Sequence, residues 1–147
     1  MITPSPTSPI EAHQARGVLE EVRAASGSKP ATIVLSIPNT SYRIELRPSG
    51  EIATPVGKRL IGTIRAQARR IDVVQSGGKY IEPVFGHPRR VQGSVVSTDS
   101  SSNSITVHAG VPIVCAITDS RQKASQFEPG QFVSFDVLDG ATFAPGV

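Results

Sequence analysis

The chain is poor in the residues on which small scaffolds and reactive centres usually rest. It has one cysteine, Cys115, in 147 residues, which excludes an intramolecular disulfide and any cysteine-based zinc ribbon or finger. Its three histidines, His13, His87 and His108, stand far apart, and none has a second ligand type at metal-binding spacing. Tryptophan is absent, and two tyrosines with five phenylalanines bring aromatics to only 5%. The longest wholly apolar stretch, Val111 to Ile117, is far short of the ~20 residues of a membrane helix. The opening MITPSPTSPI has neither the basic nor the apolar region of a secretory leader. The expectation is a soluble, cytoplasmic protein.

Glycine and proline are plentiful. Thirteen glycines and twelve prolines are spread along the chain as turn punctuation, which favours many short strands over long helices. The length suits one domain with room for little more than a tail. Net charge is +3, unevenly distributed: residues 1–42 are neutral, residues 43–90 carry ten basic against four acidic side chains, and residues 91–147 carry two against five. A basic middle and an acidic end suit either an anionic ligand or the pairing of one subunit with the next.

Residues 1–7 are Pro/Ser/Thr-rich and read as disordered. A helix is expected after them, with Ser8 as N-cap, Pro9 at the first helical position, and Ala12, Ala15, Val18, Leu19 and Val22 forming a narrow stripe that ends near Gly27. From residue 31 the apolar period becomes two. Thr32–Leu35 and Tyr42–Leu46 read as a hairpin, and Lys58–Val74 as a long strand whose faces switch at a bulge near Ala68–Arg70. Ser76–Lys79 reads as a hairpin turn into Tyr80–Phe85, where Pro83 marks an edge or bulge. Val91–Val95 and Ile105–Val107 form a second hairpin, Val111–Ile117 a central strand, Ser120–Phe127 a short helical turn, and Phe132–Leu138 a strand with Val133, Phe135 and Val137 inward. No internal repeat stands out.

This pattern predicts an all-β, partly open Greek-key barrel of seven or eight short strands over residues 30–147, with residues 1–29 as a disordered terminus plus amphipathic helix. The stretch Val91–Leu138, with Gly93-x-Val95, Ile105-x-Val107, a buried strand, a short helix and Gly130-Gln131-Phe132-Val133, resembles OB-fold-like small barrels. The resemblance covers about a third of the chain and implies a face suited to single-stranded nucleic acid, where cations track phosphates and aromatics stack bases. On that reading Arg65, Arg69, Arg70, Lys79, Arg89 and Arg90 supply the cations and Tyr80 the stacking ring. The alternative is that these arginines solubilise a sheet edge or pair with the acidic end.

Other motifs lead nowhere chemical. Gly77-Gly78-Lys79 lacks the strand and helix that flank a phosphate-binding loop. Phe127–Val133 looks like the Pro-Gly-Gln-Phe-Val strand entry of ferredoxin-reductase-like FAD barrels, but the Arg-x-Tyr-[Ser/Thr] flavin motif is absent. Cys115 reads as a small core residue, His108 as a surface residue, and His87 as an exposed histidine with no partner identifiable from sequence; Glu82 and Asp136 form an acid pair only if a structure is assumed. The expectation is a non-enzymatic binding module with no metal and no cofactor, directed at nucleic acid. The alternative is a protein-interaction or self-assembly module that uses the N-terminal helix, strand edges and complementary charges.

Overall fold

The computed structural model describes residues 10–75 and 77–146. Twelve strands run through them: β1 (Ala15–Arg23), β2 (Thr32–Ser36), β3 (Arg43–Pro48), β4 (Arg59–Ala68), β5 (Asp72–Val74), β6 (Tyr80–Glu82), β7 (Phe85–Gly86), β8 (Arg90–Asp99), β9 (Ser104–His108), β10 (Pro112–Ile117), β11 (Phe132–Asp136) and β12 (Thr142–Pro145), with one 3-10 turn at Ala124–Gln126 before β11. The protein is all-β. No helix among the described residues is long and apolar enough to cross a membrane.

Five strands close a barrel. β1, β2 and β3 form an antiparallel meander; β3 runs parallel to β12; β12 pairs antiparallel with β4, and β4 returns to β1. The remaining main strands form a second ring on the other half of β4. β8, β9 and β10 are again a meander, β10 runs parallel to β4, and β11 pairs with β8. This ring closes through a single bridge, Ala68 to Val137, flanked by hydrogen bonds from Arg69 N–H to the Asp136 carbonyl (2.9 Å) and from Leu138 N–H to the Gln67 carbonyl (2.9 Å). Apolar residues alternate into both rings: Leu19, Ile33, Leu35, Ile44, Leu46 and Phe143 in the first, Val91, Ile105, Val107, Ile113, Cys115 and Phe135 in the second, all at most 1% exposed.

The two rings are copies of one plan. Val18–Ser36 and Leu19–Leu35 correspond to Ser94–His108 and Val95–Val107, each followed by a bulge, after Leu19 and after Val95. Gly17 opposite Leu60 corresponds to Gly93 opposite Val133. Leu19 exchanges backbone hydrogen bonds with Gly57 and Lys58 as Val95 does with Gly130 and Gln131. Gly57 and Gly130 share φ near +90° (+90° and +94°), a left-handed conformation that glycine adopts without penalty. Ser49 N–H bonds Phe143 O where Thr118 N–H bonds Ala68 O. Each half therefore supplies four strands of its own ring and lends the fifth to the other: β4 continues into the second ring, and β12 returns to the first.

The expected N-terminal helix is not formed: residues 15–23 are β1, so the boundary expected at residue 30 falls inside the barrel. The bulge explains the misleading period. Ala15, Gly17 and Leu19 face inward at period two, and the extra residue after Leu19 shifts parity, so the apolar spacing imitates a helix. The expected cap at Ser8–Pro9 and the disordered stretch 1–7 lie outside the described residues. The strand count exceeds seven or eight because β1 stands where a helix is expected, the expected strands Lys58–Val74 and Tyr80–Phe85 each divide in two, and β12 is additional. The face switch near Ala68–Arg70 is a change of strand: the chain leaves β4 at Ala68 and resumes as β5 on β11. β5 and β6 pair with β11 and β8 respectively, not with each other, so the Gly77–Lys79 part of the expected turn joins no hairpin; Ser76 lies outside the described residues. The hairpins β2–β3 and β8–β9, the inner position of β10 in the sheet and the inward set Val133, Phe135 and Val137 are as read.

The paired glycines give a differential test. A Cβ at Gly93 would collide with the His108 carbonyl, whereas one at Gly17 would sit 3.3 Å from the Ser36 carbonyl. Gly93→Ala should destabilise by about 1–3 kcal/mol, the range for forced overpacking. At Gly17→Ala the tight contact and the ~0.5–1 kcal/mol that alanine gains over glycine in a strand nearly cancel. Urea unfolding of both variants checks the contrast; equal losses would refute the packing difference.

Candidate functional site

Of the seven residues expected to form a basic face, Arg69, Arg70 and Arg90 line one open cleft of about 430 Å³, together with Asp72, Thr118, Asp119, Phe135 and Asp136. The cleft lies where β4 ends against β11, at the single bridge that closes the second ring. Arg65 and Gln67 lie on the exposed face of β4, and exposed Arg69 continues their alternation just past the strand end, while Ala66 and Ala68 point into the core. Arg65 lies between Thr142 of β12 and Val114 of β10, and Gln67 beside Ala116. The short neighbouring side chains leave the two guanidinium groups standing clear of the sheet.

Lys79, Tyr80 and Arg89 are placed differently. Tyr80 is half-buried on β6; its hydroxyl donates to Gln92 Oε1 at 3.2 Å and lies beside the Arg90 guanidinium, so it is not an open stacking platform. Lys79 is exposed toward His108, whose pKa is lowered first by burial and then by that ammonium. Arg89 is exposed, and its backbone binds Glu82 and Val137. The structure thus gathers three of the seven residues in one cleft, lines Arg65 up with them, and brings Tyr80 to the cleft's Arg90.

Much of the basic charge is already answered. Arg90 donates from Nη1 to Asp136 Oδ1 and from Nη2 to Ser134 Oγ, both at 2.8 Å, and Arg70 Nε lies 3.2 Å from Asp72 Oδ1. These contacts hold the Arg90 guanidinium firmly charged; the Asp136 hydrogen bond is the largest cause. Arg121 grips Asp119 with its side chain, Nη2 to Oδ2 at 2.9 Å, and with its backbone N–H at 2.8 Å, and the carboxyl is pulled down to about 2. Among the described residues Arg65, Arg69, Lys79 and Arg89 have no ion pair. The arginines came from the charge run in the sequence. Ser134, the partner that sequence reasoning missed, carries no local signal and reaches Arg90 only when β11 pairs with β8, whereas Asp119 is held by Arg121 two residues away.

Elsewhere, Phe85 shares the parity of buried Ile81 yet is 53% exposed, because β6 stops at Glu82 and Phe85 restarts as β7 along β3, under the Arg43 guanidinium at 6.0 Å from the ring centre. His108, read as a surface residue, is half-buried, and its Nδ1 has no hydrogen-bond partner. Exposed His87 does have a carboxylate partner, Glu45 at 3.0 Å, which Arg23 also binds at 2.9 Å.

Burial pushes the Cys115 thiol far up, and its S–H points to the Ile113 carbonyl at 3.6 Å, so it is a poor nucleophile. No cluster of three His, Cys, Asp or Glu side chains suited to a metal occurs among the described residues. The arrangement is suited to binding an anion by charge. No family model matches the chain, and comparison with curated proteins and with solved structures finds no match.

The Asp119 pair predicts a specific titration. Its folded carboxyl titrates at about 2, against about 3.9 in an unfolded chain. The folded form binds fewer protons in between, so the stability it contributes is complete above the unfolded value and is lost as pH falls through the folded one. In Arg121→Ala the Asp119 midpoint, followed by carboxyl NMR, should rise toward the ordinary aspartate range. A midpoint that stays low would show that Arg121 is not its cause.

Proposed function

We propose that the protein is a non-enzymatic module that binds single-stranded nucleic acid through its phosphate backbone, along the exposed face of β4 and into the cleft at its end. One observation carries this reading: the strand common to both rings leads Arg65, Gln67 and Arg69 outward in a line, and neither arginine is ion-paired among the described residues. Phosphates are tracked by such rows of cations. Arg70 and Arg90, held by Asp72 and Asp136, shape the cleft, and Arg69 supplies its uncommitted charge. Lys79 and Arg89, exposed and without an ion pair among the described residues, add to the positive field, and Tyr80 acts as a wall that orients Arg90. With no open aromatic platform on this face, binding is governed by charge and carries little base preference.

The strand order supports an OB-like reading of both rings. In each, a three-strand meander is closed by a fourth strand on the first and by a fifth running parallel to the third, a small five-stranded Greek-key barrel. Such barrels host many activities, so the fold raises the prior and the side chains make the argument. On this reading the protein works in the cytoplasm. The second reading, a self-assembly module, keeps one specific observation: β5 is the last strand of the sheet and exposes Val73 at 54%. It loses the helix it invoked, and Arg90–Asp136 and Arg47–Asp139 show the middle and the end of the chain pairing with each other.

Fluorescence-anisotropy titration with a single-stranded oligonucleotide at about 50 and 200 mM salt tests the proposal. With about four phosphates neutralised, affinity should fall roughly 50-fold between those salts. Reversing both charges in Arg65→Glu/Arg69→Glu should weaken binding at the lower salt by at least roughly tenfold. Absence of binding at the lower salt would remove the nucleic-acid reading, and unchanged binding by the double variant would remove the β4 face.

A further inference from the structure

The β4 face has cations but no ring, and an exposed ring stands farther along the same outer surface. Among the described residues Phe85 is the one exposed aromatic side chain. β7 carries it beside β3 in parallel register, with Phe85 opposite Arg43 and Gly86 opposite Ile44. Ile44 drops into the first core, so Arg43 and Phe85 project from the outside of the barrel, with the guanidinium carbon 6.0 Å from the ring centre. A phenylalanine left in water forgoes the burial that ordinarily holds such a ring.

The register joins this ring to the phosphate row. Arg43, Glu45 and Arg47 share the outward parity of β3. Arg47 lies opposite Thr142 of β12, and Thr142 lies opposite Arg65 of β4. By strand geometry Arg47 is about 13 Å along β3 from Arg43 and about 10 Å across the sheet from Arg65. The acids on this path already face cations. Glu45 is bound by Arg23 at 2.9 Å and by His87 at 3.0 Å, and Asp139 lies 3.3 Å from Arg47, a long contact for a charged pair. Arg43 has no ion pair among the described residues.

We propose that Phe85, with Arg43 beside it, is a base-stacking site for the nucleic acid whose phosphates lie along β4, an inference that rests on the reading above. The strand leaves Arg65, crosses β12 past Arg47 and lays one unpaired base on the Phe85 ring. Arg43 serves both parts of that nucleotide, through cation–π contact at the ring and through its charge toward the adjoining phosphate. Every base has a π-face, so the site adds affinity without base preference. It also makes a single strand a requirement, because a paired base keeps its faces within its own stack. Contact with a protein is the competing use of an exposed ring. The surroundings favour the base: Phe85 sits against a cation, and of the other exposed large apolar residues only Val84 is its chain neighbour, while Val22, Val56 and Val73 belong to β1, the approach to β4, and β5.

The chain has no tryptophan, so Phe85→Trp places a single fluorescent reporter at the site. Titration of the intact variant with a single strand of about 12 nucleotides, at about 50 mM salt, should quench it saturably. A strand of the same length built of abasic sites should bind through its phosphates without quenching. Phe85→Ala should weaken binding of the base-bearing strand roughly tenfold, leave the abasic strand unchanged and preserve the salt dependence of the parent protein. If the parent binds neither strand, the phosphate reading fails and stacking fails with it. If the parent binds, but Phe85→Trp is not quenched or Phe85→Ala weakens both strands alike, stacking at Phe85 is overturned while the β4 row stands. A tryptophan signal that changes with protein concentration alone would overturn it in favour of contact between copies of the chain.

Discussion

Everything in this molecule hangs on the use of β4 by two rings at once. A strand edge left unpaired forfeits its backbone hydrogen bonds and invites association, and closing a ring removes both edges. Neither half of the chain can close alone. The parallel neighbour that closes the first ring on β3 is Thr142–Phe143, near the far end of the chain, and the parallel neighbour of β10 is Arg65–Ala68, long before it in sequence. The ten residues of β4 therefore join the two cores into one. Its first half, buried on both sides from Leu60 to Ile64, belongs to the first core, while Ala66 and Ala68 serve the second. The small alanines suit the place where two rings and a crossing chain come together.

The same arrangement decides the electrostatics. Acidic residues of the last third are carried onto the basic middle: Asp136 meets Arg90 directly across the β8–β11 pair, and Asp139, in the connection that leads into the lent strand β12, meets Arg47 of β3. These pairs are partly exposed, and exposed pairs contribute little to stability. Their effect is to remove charge from the surface budget. Among the described residues, the cations that pairing does not reach on β4 and just past its end are Arg59, Arg65 and Arg69. The chain's net charge thus understates how local its cationic surface is, while the unpaired run of arginines in the sequence overstates it.

The sequence was legible where side-chain period follows local geometry. The β2–β3 and β8–β9 hairpins, the turn at Pro129-Gly130 and the inward set on β11 all follow from alternation and glycine placement. It was misleading where the structure departs from strict period two. The bulge in β1 mimics helical spacing, and the departure from β4 at Ala68 mimics a bulge. The repeat was hard to see because the halves share pairing more than identity: Thr32-Ile33-Val34-Leu35 and Ser104-Ile105-Thr106-Val107 have only the isoleucine in common, and Leu60 is matched by Val133. At the site the arginines could be read, and Asp72 lies within two residues of its partner Arg70, but the carboxylate of Arg90 could not be read, since Asp136 approaches only when β11 pairs with β8. Tyr80 was placed outward because nothing in its own strand announces Gln92 twelve residues later.

Where two copies of a plan differ, the difference isolates what the plan itself does not require. Both rings have a glycine, at positions 17 and 93, a bulge after it and a left-handed glycine that receives it. The second ring adds β5 and β6, and so converts its open end into continuous sheet over Ile71 and Ile81. Among the described residues no such strand lies over the first ring, whose Leu19 and Phe143 are just as deeply buried. Ring closure is what the two copies have in common, and the added strands are a feature of the second.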